Sequence, residues 1–246
     1  MNKINHVAII MDGNDRFAAI KNISSQEGYK AGAENAFHII ESAIELGVKH
    51  LSLYTFSSEN LLRPKDEVEN FMNLLNYYAT SELQRLADLN IKVKFVGDLS
   101  LLDAEIQLKL AKAEKLSENN TAINVYMLLS YGSRAEIINA TKRILDSKIT
   151  SAELDVDVLT SNFYCPSMPD VDLLIRPGDR MRISNFLLWQ SAYAELYFSN
   201  KLWPEFSKED LKVAIEEYNS RIRTFGMRNN SRMDPNKTDN ENANVT

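Results

Sequence analysis

Short runs of apolar and β-branched residues alternate along the chain with longer stretches of helical period. That alternation predicts βαβ units around a mostly parallel sheet. The runs predict strands over 6–11, 50–56, 91–96, 123–129, 173–175 and 196–198. Between them, 33–46 places Ala36, Ile39, Ile40, Ala43 and Ile44 on one stripe and stops at Gly47. The longest helical pattern, 66–89, carries a wide apolar face with Val68, Phe71, Met72, Leu75, Tyr78 and Leu86. Such a face reads as core packing or as one wall of a hydrophobic tunnel, and periodicity does not separate the two. Further helices are predicted over 101–117, 134–147, 154–163 and 208–224. From 227 to 246 apolar residues almost vanish, so a polar tail is expected to stay disordered. The expected fold is therefore one α/β domain over 1–226, with a central six-stranded sheet flanked by helices.

Composition narrows the function. A net charge of -6 argues against nucleic acid, because phosphate binding needs a basic surface, so any anion site must be local. A single cysteine, Cys165, excludes an intrachain disulfide and points to a reducing, cytoplasmic setting. No signal peptide is evident, and no run reaches the roughly 18 apolar residues of a membrane span. His6, His38 and His50 share no zinc-ligand spacing with Cys165, and no Gly-rich nucleotide loop is present.

Ligands of open α/β sheets bind beyond the carboxyl ends of the strands, which directs attention to three loops. After the first strand comes Asp12-Gly13-Asn14-Asp15-Arg16, which reads equally as a tight turn or as a metal-bridged phosphate site with Asp12 on Mg²⁺ and the following amides on the anion. After the second come Ser57-Ser58-Glu59-Asn60 and Arg63-Pro64, where a helix cap is as good a reading as a ligand site. After the fifth, Arg176, Gly178, Arg180, Arg182 and Ser184 fall within nine residues between apolar flanks, a spacing that lets several guanidinium forks converge on one diphosphate.

These segments, taken with 6–14, Ile183-Ser184-Asn185-Phe186-Leu187-Leu188-Trp189-Gln190 and Ala192-Tyr193-Ala194-Glu195-Leu196-Tyr197-Phe198, resemble the hallmark motifs of the cis-prenyltransferase, or undecaprenyl diphosphate synthase, family, in order from about 6 to 226. The resemblance implies a Mg²⁺-dependent enzyme that joins an allylic prenyl diphosphate to isopentenyl diphosphate or a second dimethylallyl diphosphate. It implies Asp12 and Glu195 as metal ligands, Glu195 reaching the site from a neighbouring subunit or nearby loop. Gly13, Asn14, Arg16 and Phe17 are implied at the allylic diphosphate, and Arg176, Arg182 and Ser184 at the acceptor diphosphate. Ser57, Asn60, Arg63 and Glu67 are implied in placing the acceptor and passing on its proton, with Asn60 cast as catalytic. A homodimer and a peripheral membrane contact for product release are implied as well.

Departures from the family pattern are Asp15, Phe17, Ser25, Tyr29, Leu61 and Pro177-Gly178-Asp179-Arg180. They weaken the allylic side and remodel the acceptor side. Thr55, Leu128 and Leu129 replace small residues and are expected to form a tunnel floor, favouring a product of about ten to twenty carbons over the long-chain cell-wall lipid carrier. A non-catalytic prenyl-diphosphate-binding subunit is the alternative of another class; it would be expected to lose Asp12 and the acceptor arginines, which this chain keeps.

Overall fold

The computed structural model describes residues 4–223; the tail expected over 227–246 lies outside them. Six strands form one parallel sheet: β1 (His6–Ile10), β2 (His50–Ser57), β3 (Ile91–Val96), β4 (Ile123–Tyr131), β5 (Leu173–Arg176) and β6 (Glu195–Phe198), in the order β3-β4-β2-β1-β5-β6. The chain leaves β1 towards β2 and later returns to β1's other side with β5, so the strand order reverses between β1 and β5. Crevices at such a switch point are where open sheets bind ligands.

Helices cover both faces. On one face Val7, Ile9, Leu51, Leu53, Val125 and Ile175 pack against α2 (Ser25–Glu45) and the C-terminal helix of Lys208–Ser220, with Trp203 and Phe206 fully buried between them. On the other face Ala8, Ile10, Tyr54, Tyr126, Leu128 and Leu174 meet Phe186, Leu187, Met168 and Cys165. From 123 to 128 the side chains of β4 alternate: 123, 125 and 127 face the first layer, 126 and 128 the second.

Three elements differ from the sequence pattern. A short helix, α1 (Asn14–Lys21), follows β1 where only a loop was expected. The helix α2 begins at Ser25, well before residue 33, on a Ser24/Glu27 capping box. Its early turns hold Gly28 and Gly32, which argue against helix by propensity; a Cβ there would lie 2.6 Å from the Asn14 carbonyl oxygen and 2.2 Å from Asn14 Oδ1 respectively. The glycines let α1 and α2 touch. The helix expected over 66–89 is two: α3 (Lys65–Ser81) and α4 (Leu83–Asp88). Thr80 and Ser81 return their hydroxyls to the carbonyls of Asn76 and Tyr77, the back-bonding that bends helices. The bend lets Arg85 pair with Glu34 and Glu41 and lie over the Phe37 ring, tying α4 to α2.

The second layer also buries a polar group. His6 is fully enclosed; its Nδ1 donates to the Pro169 carbonyl at 2.8 Å and its Nε2 meets Ser52 Oγ at 2.8 Å. Burial pushes its pKa down to about 4. The folded protein holds His6 neutral while the unfolded chain protonates it near 6.5, so stability is expected to fall as pH drops from about 6.5 to about 4, by about 3 kcal/mol in all. Buried Glu136, whose carboxyl is raised by desolvation, acts in the opposite sense. Urea unfolding of wild type and His6→Gln at pH 7.5 and pH 5 isolates the histidine: the pH dependence should shrink in the variant, and an unchanged slope would remove His6 as its source.

Candidate functional site

The site forms at the switch point. Ile10 ends β1, and Asp12 lies just beyond it with its Oδ2 accepting from Arg176 Nη2 at 2.8 Å and its Oδ1 accepting from Arg16 Nη2 at 3.0 Å. Arg176 is the last residue of β5 and is 4% exposed. Its Nη1 donates to Ser184 Oγ at 2.7 Å and to the Arg182 carbonyl. One carboxylate thus joins α1, the end of β1 and the loop after β5. Nε of Arg176 and Oδ1 of Asn14 are buried polar atoms without a protein partner. Arg176 Nε is a donor that an anion or a water can satisfy, whereas Asn14 Oδ1 is an acceptor packed against Gly32 of α2.

Two glycines make this closeness feasible. Gly13, at φ +114°, caps α1, and a Cβ on it would come within 2.9 Å of Leu202 Cδ2. Gly178, at φ +97°, sits against Asp12, where a Cβ would lie 2.8 Å from its carbonyl oxygen. The first turn of α1 carries Asn14, Asp15 and Arg16 with no side-chain cap on Gly13. First-turn N–H groups have no partner within a helix, and Asn14, Asp15 and Arg16 line the cavity, which leaves their amides available to an anion there. The loop after β5 holds Asp179, Ser184, Asn185 and Leu187 at positive φ, a concentration of strained backbone typical of functional loops.

Around Asp12 opens a cavity of about 640 Å³ lined by Gly13, Asn14, Arg16, Ser57, Asn60, Arg63, Glu67, Arg176, Arg182 and Ser184. The structure therefore brings together all the residues that the resemblance implied for the site except Phe17 and Glu195; Arg180, which the spacing of the loop after β5 also offered, is exposed and stays outside the cavity. Phe17 stands on α1 under the Lys21 ammonium and does not line the cavity. Glu195 opens β6, opposite Leu173, at the amino end of the sheet, where it pairs with Arg221 at 2.9 Å. Within one copy it stays away from Asp12, which lies past the carboxyl end of β1. Asn60 spends its amide oxygen on the Ser57 N–H at 2.9 Å, in a reciprocal cap that fixes the turn after β2.

The cavity also recruits residues the motifs did not mark: Gln26, Tyr54, Asp66 and Asn70. Asp66, Asn70 and Leu74 recur at helical spacing on α3, so the polar start of one helix face carries the signal. Asp15, Ser25 and Tyr29, noted in the sequence only as departures, line it too. Asp15 accepts from the hydroxyls of Ser25 and Tyr29. Burial raises the Tyr29 phenol, so it stays protonated at neutral pH.

Met11, Asn14, Tyr29, Thr55, Phe71 and Leu74 also line a second cavity, of about 150 Å³, which leads from the first between the sheet, α2 and α3. Its walls are Gly32, Ala33, Ala36, Phe37, Leu75 and Tyr78, and it ends among Leu86, Val93, Ala113 and Val125. Thr55 reaches both cavities because it is the extra residue of a β-bulge: Tyr54 pairs with Leu128 and Phe56 with Leu129, leaving Thr55 unpaired. The expected floor of Thr55, Leu128 and Leu129 is thereby corrected. Leu128 points into the opposite layer with Tyr54 and Phe186, and Leu129 packs with Phe56, Leu102 and Ile106 outside the cavity.

The comparisons agree with this geometry. The family described as "Putative undecaprenyl diphosphate synthase" matches residues 10–226. An "Isoprenyl transferase" of Rickettsia bellii is 48% identical over 228 residues, covering 93% of this chain and 100% of that protein. The crystal structure of lavandulyl diphosphate synthase from Lavandula x intermedia in complex with dimethylallyl diphosphate superposes with a TM-score of 0.87 at 33% identity, covering 91% of this chain and 98% of that one. A probable undecaprenyl diphosphate synthase from Campylobacter jejuni gives a TM-score of 0.79 at 37% identity, covering 92% and 100%. With a carboxylate and two arginines joined at the switch point of the same fold, and with matching sequence along nearly its whole length, the chain belongs to the undecaprenyl diphosphate synthase family of cis-prenyltransferases.

Proposed function

We propose that the chain condenses an allylic prenyl diphosphate with isopentenyl diphosphate, or with a second dimethylallyl diphosphate, and makes a short product. The carrying observation is a polar cavity around Asp12 that continues directly into a narrow apolar one. The allylic diphosphate would lie on the first turn of α1, its hydrocarbon running down between α2 and α3. The acceptor diphosphate would lie on Arg176, Arg182 and Ser184. Fixing two substrates side by side removes much of the entropic barrier to their joining.

Charge argues for a metal. Arg16, Arg63, Arg176 and Arg182 line the cavity against Asp12, Asp15, Asp66 and Glu67, four charges of each sign. Two diphosphates would add several negative charges that the protein does not balance. Among the described residues no group of three or more His, Cys, Asp or Glu is placed to hold a metal ion. That pattern suits Mg²⁺, which binds through one or two carboxylates plus substrate phosphates and keeps its waters. Asp12 would hold it, and it would supply neutralisation of the leaving diphosphate. Arg16 and Arg176 orient the Asp12 oxygens, and the α1 amides receive charge as the allylic C–O bond breaks.

Chain length follows from the apolar cavity. Thr55 lies three to four residues of strand above the level of Val125, which pairs with Leu51, or about 10–13 Å. An isoprene unit extends the carbon chain by four bonds, and three bonds of an extended chain span about 3.3–3.6 Å, so each unit needs about 4–5 Å. About two to three units therefore fit beyond the reacting carbon, which supports a product of about ten to twenty carbons. Mass analysis of products from dimethylallyl, geranyl and farnesyl diphosphates, each with and without isopentenyl diphosphate, tests the reading. A long-chain product from farnesyl diphosphate would overturn the short-product part, and no product from any pair would favour a binding subunit. Among the described residues no helix is long and apolar enough to cross a membrane; a homodimer that lends Glu195 to a partner's site and a peripheral membrane contact for product release remain part of the proposal.

The two halves of the site make a separable prediction. Arg182→Ala is expected to raise the KM for the acceptor about tenfold or more while moving the donor KM less than threefold. Lysine should rescue poorly, since it lacks the planar fork. Steady-state kinetics with each substrate varied in turn checks this, and equal effects on both would mean the halves are exchanged.

A further inference from the structure

Three of the four arginines in the polar cavity are spoken for by its sheet side: Arg16 and Arg176 each hold an Asp12 oxygen, and Arg182 stands on the loop after β5. The facing wall, α2, turns Ser25, Gln26 and Tyr29 inward and offers no cation of its own. Arg63 reaches across to that wall. Carried by the turn after β2, it donates from Nη1 to Tyr29 Oη at 2.8 Å, with Glu67 3.8 Å away. Tyr29 Oη in turn donates to Asp15 Oδ2 at 2.9 Å, and Ser25 Oγ donates to the other Asp15 oxygen.

The order of donors matters. Because the phenol gives its hydrogen to Asp15, it must present a lone pair to Arg63, so Asp15 sets the direction in which Tyr29 accepts. A neutral hydroxyl holds the guanidinium without cancelling its charge, and one of five N–H groups is used. The Asp15 carboxylate, covered by two hydroxyl hydrogens, repels an incoming anion less than a bare one. We propose that Tyr29 is a positioning residue: oriented by Asp15, it holds Arg63 against α2 as the cation for the donor's diphosphate, in place of the acceptor role that the resemblance implied for Arg63. This rests on the prenyl-transfer reading above.

The test uses the full chain, with donor and acceptor KM and kcat alongside calorimetric binding of inorganic pyrophosphate in the presence of Mg²⁺. Tyr29→Phe keeps the ring and removes the hydroxyl; it should raise the donor KM and the pyrophosphate Kd about tenfold and leave the acceptor KM within twofold. Adding Arg63→Ala to Tyr29→Phe should cost little beyond Arg63→Ala alone, since the two act as one unit. Tyr29→His at pH 6 supplies a cation on α2 itself, so Arg63→Ala should cost less in that background than in wild type. Additive penalties, or an acceptor KM that rises as much as the donor's, would overturn the proposal. If wild type turns over and Tyr29→Phe shifts neither donor KM nor pyrophosphate Kd, the positioning role fails and prenyl transfer stands. If wild type transfers no prenyl group yet binds pyrophosphate in a Tyr29- and Arg63-dependent way, prenyl transfer fails and the positioning of an anion-binding arginine stands.

Discussion

Asp12→Asn is expected to lower kcat by about 10²–10³ with every donor, the cost of removing a dominant electrostatic stabiliser of a leaving group. Asparagine is close in shape, and its amide oxygen can still accept from one of the two arginines that now bracket the carboxylate. Alanine is a poorer probe. It would leave the Arg176 guanidinium buried with only a carbonyl and a hydroxyl for partners and its Nε already unmatched. Breaking a fully buried pair costs about 3–5 kcal/mol. The Asp12 side chain is 27% exposed, so the lower end of that range or less applies here. Asp12→Ala should therefore melt earlier than Asp12→Asn while being no less inactive. Thermal melts beside kcat separate the two effects, and a kcat for Asp12→Asn within threefold of wild type would take Asp12 out of the mechanism.

The sheet was legible because its four inner strands are largely buried on both faces and so read as short, nearly continuous apolar runs bounded by polar residues. The three loops were legible for a topological reason: once the strands are placed, the rule that ligands gather beyond their carboxyl ends names the loops without further information. What escaped was decided by contact between elements distant in sequence. The early turns of α2 carry glycines that only make sense once α1 lies against them, and α1 itself is too short and too weakly amphipathic to announce itself. The capping box at Ser24 and Glu27 was a local signal that could have moved the start of α2. The Arg63–Tyr29 bond joins positions 34 apart, and no spacing rule reaches that far. Taken singly, Tyr29 and Ser25 looked like losses; beside Arg63 they form a wall that borrows its charge.

The tunnel floor shows how a single bulge misleads a reading made by position. Thr55 is where a two-residue alternation slips, so strand residues near it cannot be assigned to a face by counting. With the faces assigned, the floor moves to Leu86, Val93, Ala113 and Val125. The double variant Leu86→Ala/Val125→Ala is expected to lengthen the product by at least one isoprene unit, because each enclosed CH₂ gains about 0.8 kcal/mol and a chain extends into apolar space that opens in front of it. Leu86 is only half-buried, so its truncation should cost less stability than the 2–5 kcal/mol typical of a core leucine. Leu128→Ala is the matched control. That side chain is fully buried in the opposite layer, so its loss should fall within that range of about 2–5 kcal/mol and leave the product unchanged. Product sizing by mass analysis, with urea unfolding of each variant, reads both quantities. A longer product from Leu128→Ala, or an unaltered product from a folded Leu86→Ala/Val125→Ala protein, would mean that the hydrocarbon does not run between α2 and α3.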